Sequence, residues 1–394
     1  MNFQKLMDSL KDVEEIEINN FSIDAEEIDL TLNLQSMMPV IEKMAVVHKK
    51  KEEAREKIIE TKFPEFKNLD FKKVPVGYKS KINAVQIGHT KSEGGTRKSS
   101  VMIGGDTHMP YEAGPPVKPI IAFDIFDMRL NLPKAITMHF DEVMDDPAEW
   151  AKLCEKKYGA ELITFHLVTT DPDLKDRSAR EAAKTIEDVL QAISIPMLIG
   201  GSGNPDKDPT VLEYAGAAAE GERCMLNSAS LNMDYEPIVK AGMKYGHAVL
   251  SWTQLDINSQ KILNKKMLGL GMKHEDIIMD PTTAPLGYGM DYTYSVMERI
   301  RLNALKGDTD LQMPMASGTT NAWGAREAWM KNPEWGDKAK RGVLWEATLA
   351  LSVYLAGCNV LFMMCPDSMV LFKNMVKLLS DEKRKIKSKD WMAV

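Results

Sequence analysis

The polar side chains that could bind a ligand follow short apolar segments of this sequence, and few of them are titratable. Hydroxyl, amide and glycine residues dominate the set: Ser202, Asn204, Asn227, Ser228, Thr282, Thr283, Ser317, Gly318, Thr319, Thr320 and Asn321. Asp256 and Asp280 are the obvious carboxylate candidates. Uncharged donors and acceptors suit hydrogen bonding to a large polar ligand better than acid–base hydrolysis. We therefore expect a binding site that requires no side-chain nucleophile.

Two of these positions allow more than one interpretation. The segment 199–209 (IGGSGNPDKDP) contains three glycines, and its backbone N–H groups could hold a phosphate or a carboxylate. A tight connection between a strand and a helix needs glycines as well. Asp280 could bind a ligand or accept a hydrogen bond within its own turn. The sequence leaves both alternatives open.

Eight short apolar segments precede most of these positions. Near-continuous apolar runs are typical of parallel strands that are buried on both faces, and most of the segments are followed by helix-like stretches. Asp146 and Asp208 each precede a proline and are expected to cap helices. The pattern predicts an α/β fold, a (β/α)8 TIM barrel, with its site on the loops after the strands. The predicted strands are 120–126, 162–168, 196–201, 223–229, 247–253, 276–281, 312–317 and 358–364.

The sequence pattern before and after the predicted barrel differs from that of the barrel. Residues 1–110 form a predicted α+β extension, with an alternating strand at 27–34, a charged helix at 40–61, and a β-hairpin. The hairpin strands are 85–88 and 100–105, around the turn at Gly94-Gly95. The barrel is assigned to residues 111–382, and residues 383–394 form a tail that opens with the basic segment 383–389.

Composition argues against several classes of function. The formal charge of the 394 residues is −7, whereas a nucleic-acid groove needs a basic face. No apolar run reaches the ~20 residues that span a bilayer, and the first residues lack a signal-peptide core, so a cytoplasmic protein is expected. The four cysteines match no zinc or iron–sulfur spacing and are expected to be buried thiols. His166 lies inside a predicted strand and is interpreted as a core histidine.

Several longer segments carry a resemblance to a known family. They are 124–127 (DIFD), 145–152 (DDPAEWAK), 199–209, 251–256 (SWTQLD), 280–301 (DPTTAPLGYGMDYTYSVMERIR) and 317–329 (SGTTNAWGAREAW). The sequence resembles the delta subunits of archaeal acetyl-CoA decarbonylase/synthase complexes, whose bacterial counterpart is the small subunit of the corrinoid iron–sulfur protein. The resemblance extends from the predicted hairpin to the last barrel helix.

The resemblance implies a carrier of methyl groups. Such a subunit forms a heterodimer with a gamma subunit, which supplies the iron–sulfur cluster and the main corrinoid-binding domain. The pair takes a methyl group from a tetrahydropterin onto cobalt and delivers it to the nickel site of acetyl-CoA synthase, in a complex with CO dehydrogenase subunits. This chain starts the corrinoid signature D-x-H-x-x-G at Asp106 and His108, but Tyr111 stands where glycine is required. A cobalt corrinoid bound here is therefore expected to be shared with the gamma subunit.

Under this resemblance the polar positions acquire expected roles. Asp256, Asp280, Thr282 and Thr283 are candidates for contact with either pterin or corrinoid. The corrinoid-binding candidates are Ser202, Asn204, Asn227, Ser228, Ser317, Gly318, Thr319, Thr320 and Asn321. No catalytic side chain and no metal ligand is expected in this chain.

Two other functions remain open. The same fold class includes pterin-binding methyltransferases, in which Asn227, Asp256 and Asp280 would bind the amide edge of the pterin. The second alternative is a structural barrel that docks the gamma subunit and other members of the complex without contacting a ligand. The carrier and the docking barrel differ in whether Thr319, Asn321 and their neighbours face the corrinoid.

Overall fold

A computed structural model describes residues 74–380 of the chain. The predicted strand at 27–34, the predicted helix at 40–61 and the basic tail that begins at residue 383 lie outside the described residues. The described part contains a two-stranded hairpin and an eight-stranded parallel sheet with helices between its strands.

The parallel sheet forms the predicted TIM barrel. Its strands are β3 (Ile120–Phe126), β4 (Ile163–His166), β5 (Met197–Gly200), β6 (Met225–Ser230), β7 (Ala248–Trp252), β8 (Ile277–Asp280), β9 (Ala316–Gly318) and β10 (Val360–Met363). Neighbouring strands follow the order β8-β7-β6-β5-β4-β3-β10-β9. A bridge between Met279 and Met315 connects the two ends, where the Met279 amide donates to the Pro314 carbonyl at 2.9 Å.

The seventh barrel strand is shorter than the apolar pattern predicts, and it begins later in the sequence. The sequence predicts a strand at 312–317, whereas β9 begins at Ala316. Pro314 has no N–H to donate to a strand ladder, and a short 3-10 helix, Thr309–Leu311, precedes it. The residues before Ala316 therefore bring the chain to the base of the barrel without pairing as a regular strand.

Helices cover the outside of the barrel. They are α1 (Lys134–Phe140), α2 (Pro147–Tyr158), α3 (Ala179–Ala192), α4 (Asp208–Ala218), α5 (Glu236–Tyr245), α6 (Ile257–Gly269), α7 (Met290–Lys306), α8 (Arg326–Trp329), α9 (Lys338–Leu355) and α10 (Pro366–Ser380). Asp146 caps α2 as predicted, because its carboxylate accepts from Ala148 and Glu149, both at 3.1 Å. The predicted cap at Asp208 is wrong: Asp208 is the first helical residue, and its side chain turns back to the preceding loop.

The predicted hairpin is confirmed and packs against the barrel interior. Strands β1 (Ala84–Ile87) and β2 (Val101–Gly104) pair antiparallel, with Val85 opposite Ile103. The buried hairpin side chains belong to the same apolar cluster as Leu250 and Ile278 from barrel strands. The other strand faces pack against the helices in a second cluster. The hairpin therefore closes one end of the barrel, and the carboxyl ends of the strands form the other.

A buried ion pair joins the chain after the hairpin to the barrel. The Arg301 side chain is 1% exposed; its guanidinium donates to Asp106 at 3.0 Å and to Asn359 at 2.6 Å. Asn359 in turn donates to Asp106 at 2.6 Å. His108, the other residue of the incomplete corrinoid signature, is buried as well. These residues stabilise the closed end of the barrel.

Within residues 74–380, every helix is too short or too polar to cross a bilayer.

Candidate functional site

A cavity of about 570 Å³ lies at the open end of the barrel. Residues from the carboxyl ends of six barrel strands line it: Phe126, His166, Gly200, Trp252, Asp280 and Gly318. The side chains of Met233, Phe362 and Met364 contribute apolar surface to the cavity wall. A concave site with apolar walls and a few convergent polar groups is the usual form of a small-molecule site. Its position at the carboxyl ends of the strands is the one that the barrel prediction anticipates.

About half of the predicted site residues line this cavity. These are Ser202, Asn227, Ser228, Asp280, Gly318, Thr320 and Asn321. They come from loops that are far apart in the sequence, so the fold brings them together as predicted. Asn204, Asp256, Thr282, Thr283, Ser317 and Thr319 lie outside the lining.

Three polar side chains in the lining are available to a ligand. The register between β6 and β7 shifts between Leu226 and Ala229, so Asn227 and Ser228 do not pair with β7, although Asn227 still pairs with Gly200 of β5. The side chains of Asn227, Ser228 and Thr320 form no hydrogen bond with any other residue in the range 74–380. Asn321 donates its amide to the Thr283 carbonyl at 2.8 Å and keeps its side-chain oxygen free toward the cavity.

The glycine-rich loop after β5 is filled by a carboxylate of the chain itself. Asp208 accepts hydrogen bonds from the Ser202 amide at 2.9 Å, the Ser202 hydroxyl at 3.0 Å and the Gly203 amide at 2.8 Å. A Cβ atom on Gly201 would collide with this carboxylate. Burial raises the pKa of Asp208, and the three hydrogen bonds oppose that rise. The glycines therefore serve a tight connection, and Asp208 occupies the N–H groups that an external anion would need.

The remaining predicted residues are bonded within or between the loops. The Asn204 side chain accepts from the Asp206 and Lys207 amides at the start of α4. The Thr283 and Ser317 hydroxyls are 2.6 Å apart, and the Thr282 and Thr319 hydroxyls each donate to a backbone carbonyl at 2.6 Å. These contacts connect neighbouring strand ends and fix the shape of the open end of the barrel, which we call the barrel mouth. A direct contact of these residues with pterin or corrinoid stays a prediction.

Asp256 and Asp280 differ in their surroundings. Asp256 is exposed and caps α6 by accepting from the Ser259 amide at 2.5 Å. Hydrogen bonds from the Ser259 hydroxyl and then from its amide lower the pKa of Asp256. Asp280 is only 7% exposed and accepts from the Thr282 amide at 2.8 Å within its own turn. Burial raises the pKa of Asp280 to about 7. Near neutral pH this carboxyl can therefore either donate or accept a hydrogen bond in the cavity.

A histidine–carboxylate pair at the floor of the cavity was not predicted as a site. His166 Nε2 lies 3.2 Å from Asp124 Oδ1, although no well-directed hydrogen bond joins them. Asp124 is 4% exposed, whereas the His166 side chain is 21% exposed and lines the cavity. The interpretation of His166 as a core histidine is therefore wrong. The available signal was the pair of polar residues near the carboxyl ends of two otherwise apolar strands.

The described residues offer no cluster for a metal ion. Within residues 74–380, His, Cys, Asp and Glu side chains nowhere form a group of three or more suited to holding one. All four cysteines are buried free thiols, as predicted. A thiol that is buried in apolar surroundings is a poor nucleophile and a poor metal ligand, because both roles require the thiolate.

Comparison with known proteins gives a consistent set of relatives. The family model of the CO dehydrogenase/acetyl-CoA synthase delta subunit matches residues 84–378. The acetyl-CoA decarbonylase/synthase complex subunit delta of Archaeoglobus fulgidus is 52% identical over 77% of this chain and 69% of its own length. The corresponding subunit of Methanocaldococcus jannaschii is 45% identical over 98% of this chain and 95% of its own.

Solved structures with some likeness to this chain include two dihydropteroate synthases. The enzyme from Xanthomonas albilineans is 13% identical, covers 70% of this chain and 94% of its own, and superposes with a TM-score of 0.46. The enzyme from Yersinia pestis is 11% identical, covers 67% of this chain and 95% of its own, and gives a TM-score of 0.48.

Proposed function

The chain belongs to the CO dehydrogenase/acetyl-CoA synthase delta subunit family, and on this basis we propose that it acts with a gamma subunit as a carrier of methyl groups. The methyl group moves between a tetrahydropterin and the nickel site of acetyl-CoA synthase. The gamma subunit supplies the iron–sulfur cluster and the main corrinoid-binding domain. The barrel mouth of this chain covers one face of the cobalt corrinoid.

The observation that supports this proposal is the set of free polar groups around the cavity. The side chains of Asn227, Ser228 and Thr320 form no hydrogen bond within residues 74–380, and they lie on the lining. The edge of a corrin carries amide side chains, which pair with amides and hydroxyls. The cavity of about 570 Å³ is too small to enclose a whole corrinoid, so the chemistry of the mouth fits a capping role beside a partner.

The chain's own residues then have a positioning task. When bound, the corrinoid supplies a cobalt atom that accepts and releases the methyl group. The mouth orients this cofactor through hydrogen bonds from its rim and keeps water from the reacting face through Trp252, Phe362 and Met364. Fixing two reactants in contact lowers the entropic part of the barrier, and no side chain of this protein has to form a covalent bond.

Removal of the free rim groups tests this proposal. In the purified pair with a gamma subunit, the double substitution Asn227→Ala/Thr320→Val is expected to weaken corrinoid binding about 10-fold, because each lost hydrogen bond contributes ~0.5–1.5 kcal/mol. The measurement is corrinoid released per pair during dialysis, followed by visible absorption. Asn258→Ala/Thr348→Val is the matched control, since both of its residues are exposed on outer helices. Equal retention by both variants would contradict the proposal and favour a docking barrel.

A second candidate function is a pterin-dependent methyltransferase. It is supported by Asp280 and Asn227, because a buried carboxyl with a pKa of about 7 and a free amide can pair with the amide edge of a pterin. Under this function, the chain alone would transfer a methyl group from a methyl-tetrahydropterin to free cobalamin. Methyl transfer that requires the gamma subunit would instead support the carrier.

A further inference from the structure

Glu346 is a fully buried carboxyl group that the proposed carrier function does not use. It lies on α9 and is 0% exposed. Its two oxygens accept from the backbone amides of Met364 at 2.7 Å and Cys365 at 3.1 Å, the two residues that follow β10. No cationic side chain within residues 74–380 pairs with it, so hydrogen-bond donors alone compensate its burial. A buried carboxyl is costly, and its retention therefore requires a reason.

Two further donors lie beside this carboxyl. Trp323 Nε1 and Ser368 Oγ are buried and form no directed hydrogen bond within residues 74–380. Burial raises the pKa of Glu346 to about 7. The Met364 amide opposes this rise, and Ser368 and Trp323 oppose it as well. Gly342, one turn earlier on α9, makes room for the indole, because a Cβ atom there would collide with the Trp323 ring.

The segments that face Glu346 carry residues of the cavity lining. Trp323 belongs to the 3-10 helix Thr319–Gly324, which also contains the lining residue Thr320. Met364 lines the cavity from the loop after β10. Because β9 and β10 are neighbours in the sheet, the loops that follow them lie side by side at the barrel mouth. Glu346 is not part of the lining and contacts both loops from α9.

We propose that Glu346 is a positioning residue of the barrel mouth, which fixes the loop after β10 against the loop after β9 and so sets the distance between Met364 and Thr320. This inference rests on the proposed function, in which Thr320 binds the corrin edge and Met364 excludes water. An apolar side chain at position 346 could fill the same space, but it would accept none of the donors. A carboxyl group accepts several hydrogen bonds at once and can hold both loops to one point of α9.

Hydrogen exchange of this chain alone tests the link between the loops. Glu346→Gln keeps the shape of the side chain but replaces one acceptor oxygen with an amide group that donates, so one backbone amide at 364–365 loses its partner. Exchange at this amide is expected to become about 10-fold faster, and exchange across 319–324 should rise with it. Unchanged exchange in these two segments would overturn the inference.

Glu155→Gln is the matched control. Glu155 lies on α2, its side chain is 9% exposed, and it accepts from the Ser194 amide at 3.2 Å. Ser194 precedes β5, at the closed end of the barrel. The same chemical change there should leave exchange at 319–324 and 364–365 as it is in the unmodified chain. An equal rise in both variants would indicate a general loosening of the fold and would overturn the inference.

Corrinoid release from the pair with a gamma subunit tests whether the position of the loops matters for the ligand. Glu346→Gln is expected to release corrinoid about 3- to 10-fold faster than Glu155→Gln, the usual effect of weakening one hydrogen bond. When it is combined with Thr320→Val, the two effects should multiply to less than their product, because Glu346 acts through Thr320. Fully multiplicative effects, or equal release by Glu346→Gln and Glu155→Gln, would overturn the positioning role.

The two measurements separate this inference from the proposed function. If the unmodified pair holds no corrinoid, the proposed function fails, and hydrogen exchange of the chain alone still decides whether Glu346 fixes the two loops. If the unmodified pair holds corrinoid but Glu346→Gln changes neither exchange nor release, the inference alone fails.

Discussion

Replacing Arg301 with methionine is expected to lower the free energy of unfolding by about 3–5 kcal/mol. The side chain is 1% exposed and is the cationic partner of Asp106, at 3.0 Å. Methionine keeps most of the length and apolar character of the side chain but leaves Asp106 without its counter-charge. Asn359 loses a hydrogen bond at the same time. Urea denaturation followed by tryptophan fluorescence measures the change.

Arg129→Met is the matched control for this substitution. Arg129 also contacts two carboxylates, Asp141 at 2.6 Å and Asp145 at 2.8 Å, but its side chain is 42% exposed. Solvent screens exposed pairs, so the expected loss of unfolding free energy is much smaller than that of Arg301→Met. Similar losses in the two variants would show that burial of the Arg301 pair does not govern its effect.

The second large effect concerns the pH dependence of stability through Asp280. Burial raises the pKa of Asp280 from 3.8 to about 7, so the folded state binds a proton that the unfolded state releases. This contribution is fully present below the unfolded pKa and is lost as the pH rises through about 7. The difference between the folded and unfolded pKa of Asp280 corresponds to at most about 4 kcal/mol of unfolding free energy. Asp280→Asn should therefore flatten the fall in unfolding free energy over this range.

Two other carboxylates, Glu346 and Asp256, determine what the Asp280→Asn variant should be compared with. Glu346 is fully buried and its pKa is also raised to about 7, so part of the fall should persist in Asp280→Asn. Asp256→Asn is the control, because Asp256 is exposed, its pKa is lowered and asparagine can still cap a helix. In the Asp256→Asn variant, the unfolding free energy should fall with rising pH as it does in the unmodified chain. Equal pH profiles for Asp280→Asn and the unmodified chain would contradict a raised pKa at Asp280.

The barrel and part of its mouth could be predicted because they depend on local patterns. Apolar runs that end in polar residues located the strand ends, and the carboxyl ends of parallel strands meet at one face. Asn227, Ser228 and Thr320 could therefore be assigned to one site from their positions in the sequence alone. The hairpin followed from two apolar runs around a glycine turn.

The direction of individual side chains could not be predicted. Strands that are buried on both faces lack a polar alternation, so the sequence did not show that His166 faces the cavity rather than the helices. A carboxylate before a proline is usually a cap, but in this loop Asp208 finds more donors in Ser202 and Gly203. Asp256 and Asp280 follow neighbouring strands, yet one caps an exposed helix and the other is buried.

The most direct test of the proposed carrier function is the visible spectrum of this chain purified with a gamma subunit, beside the spectra of the two chains purified alone. The proposed carrier function predicts a corrinoid band in the pair, retained more firmly than by the gamma subunit alone, and none from this chain alone. A stable pair that binds no corrinoid, or a gamma subunit that retains corrinoid equally well without this chain, would contradict it.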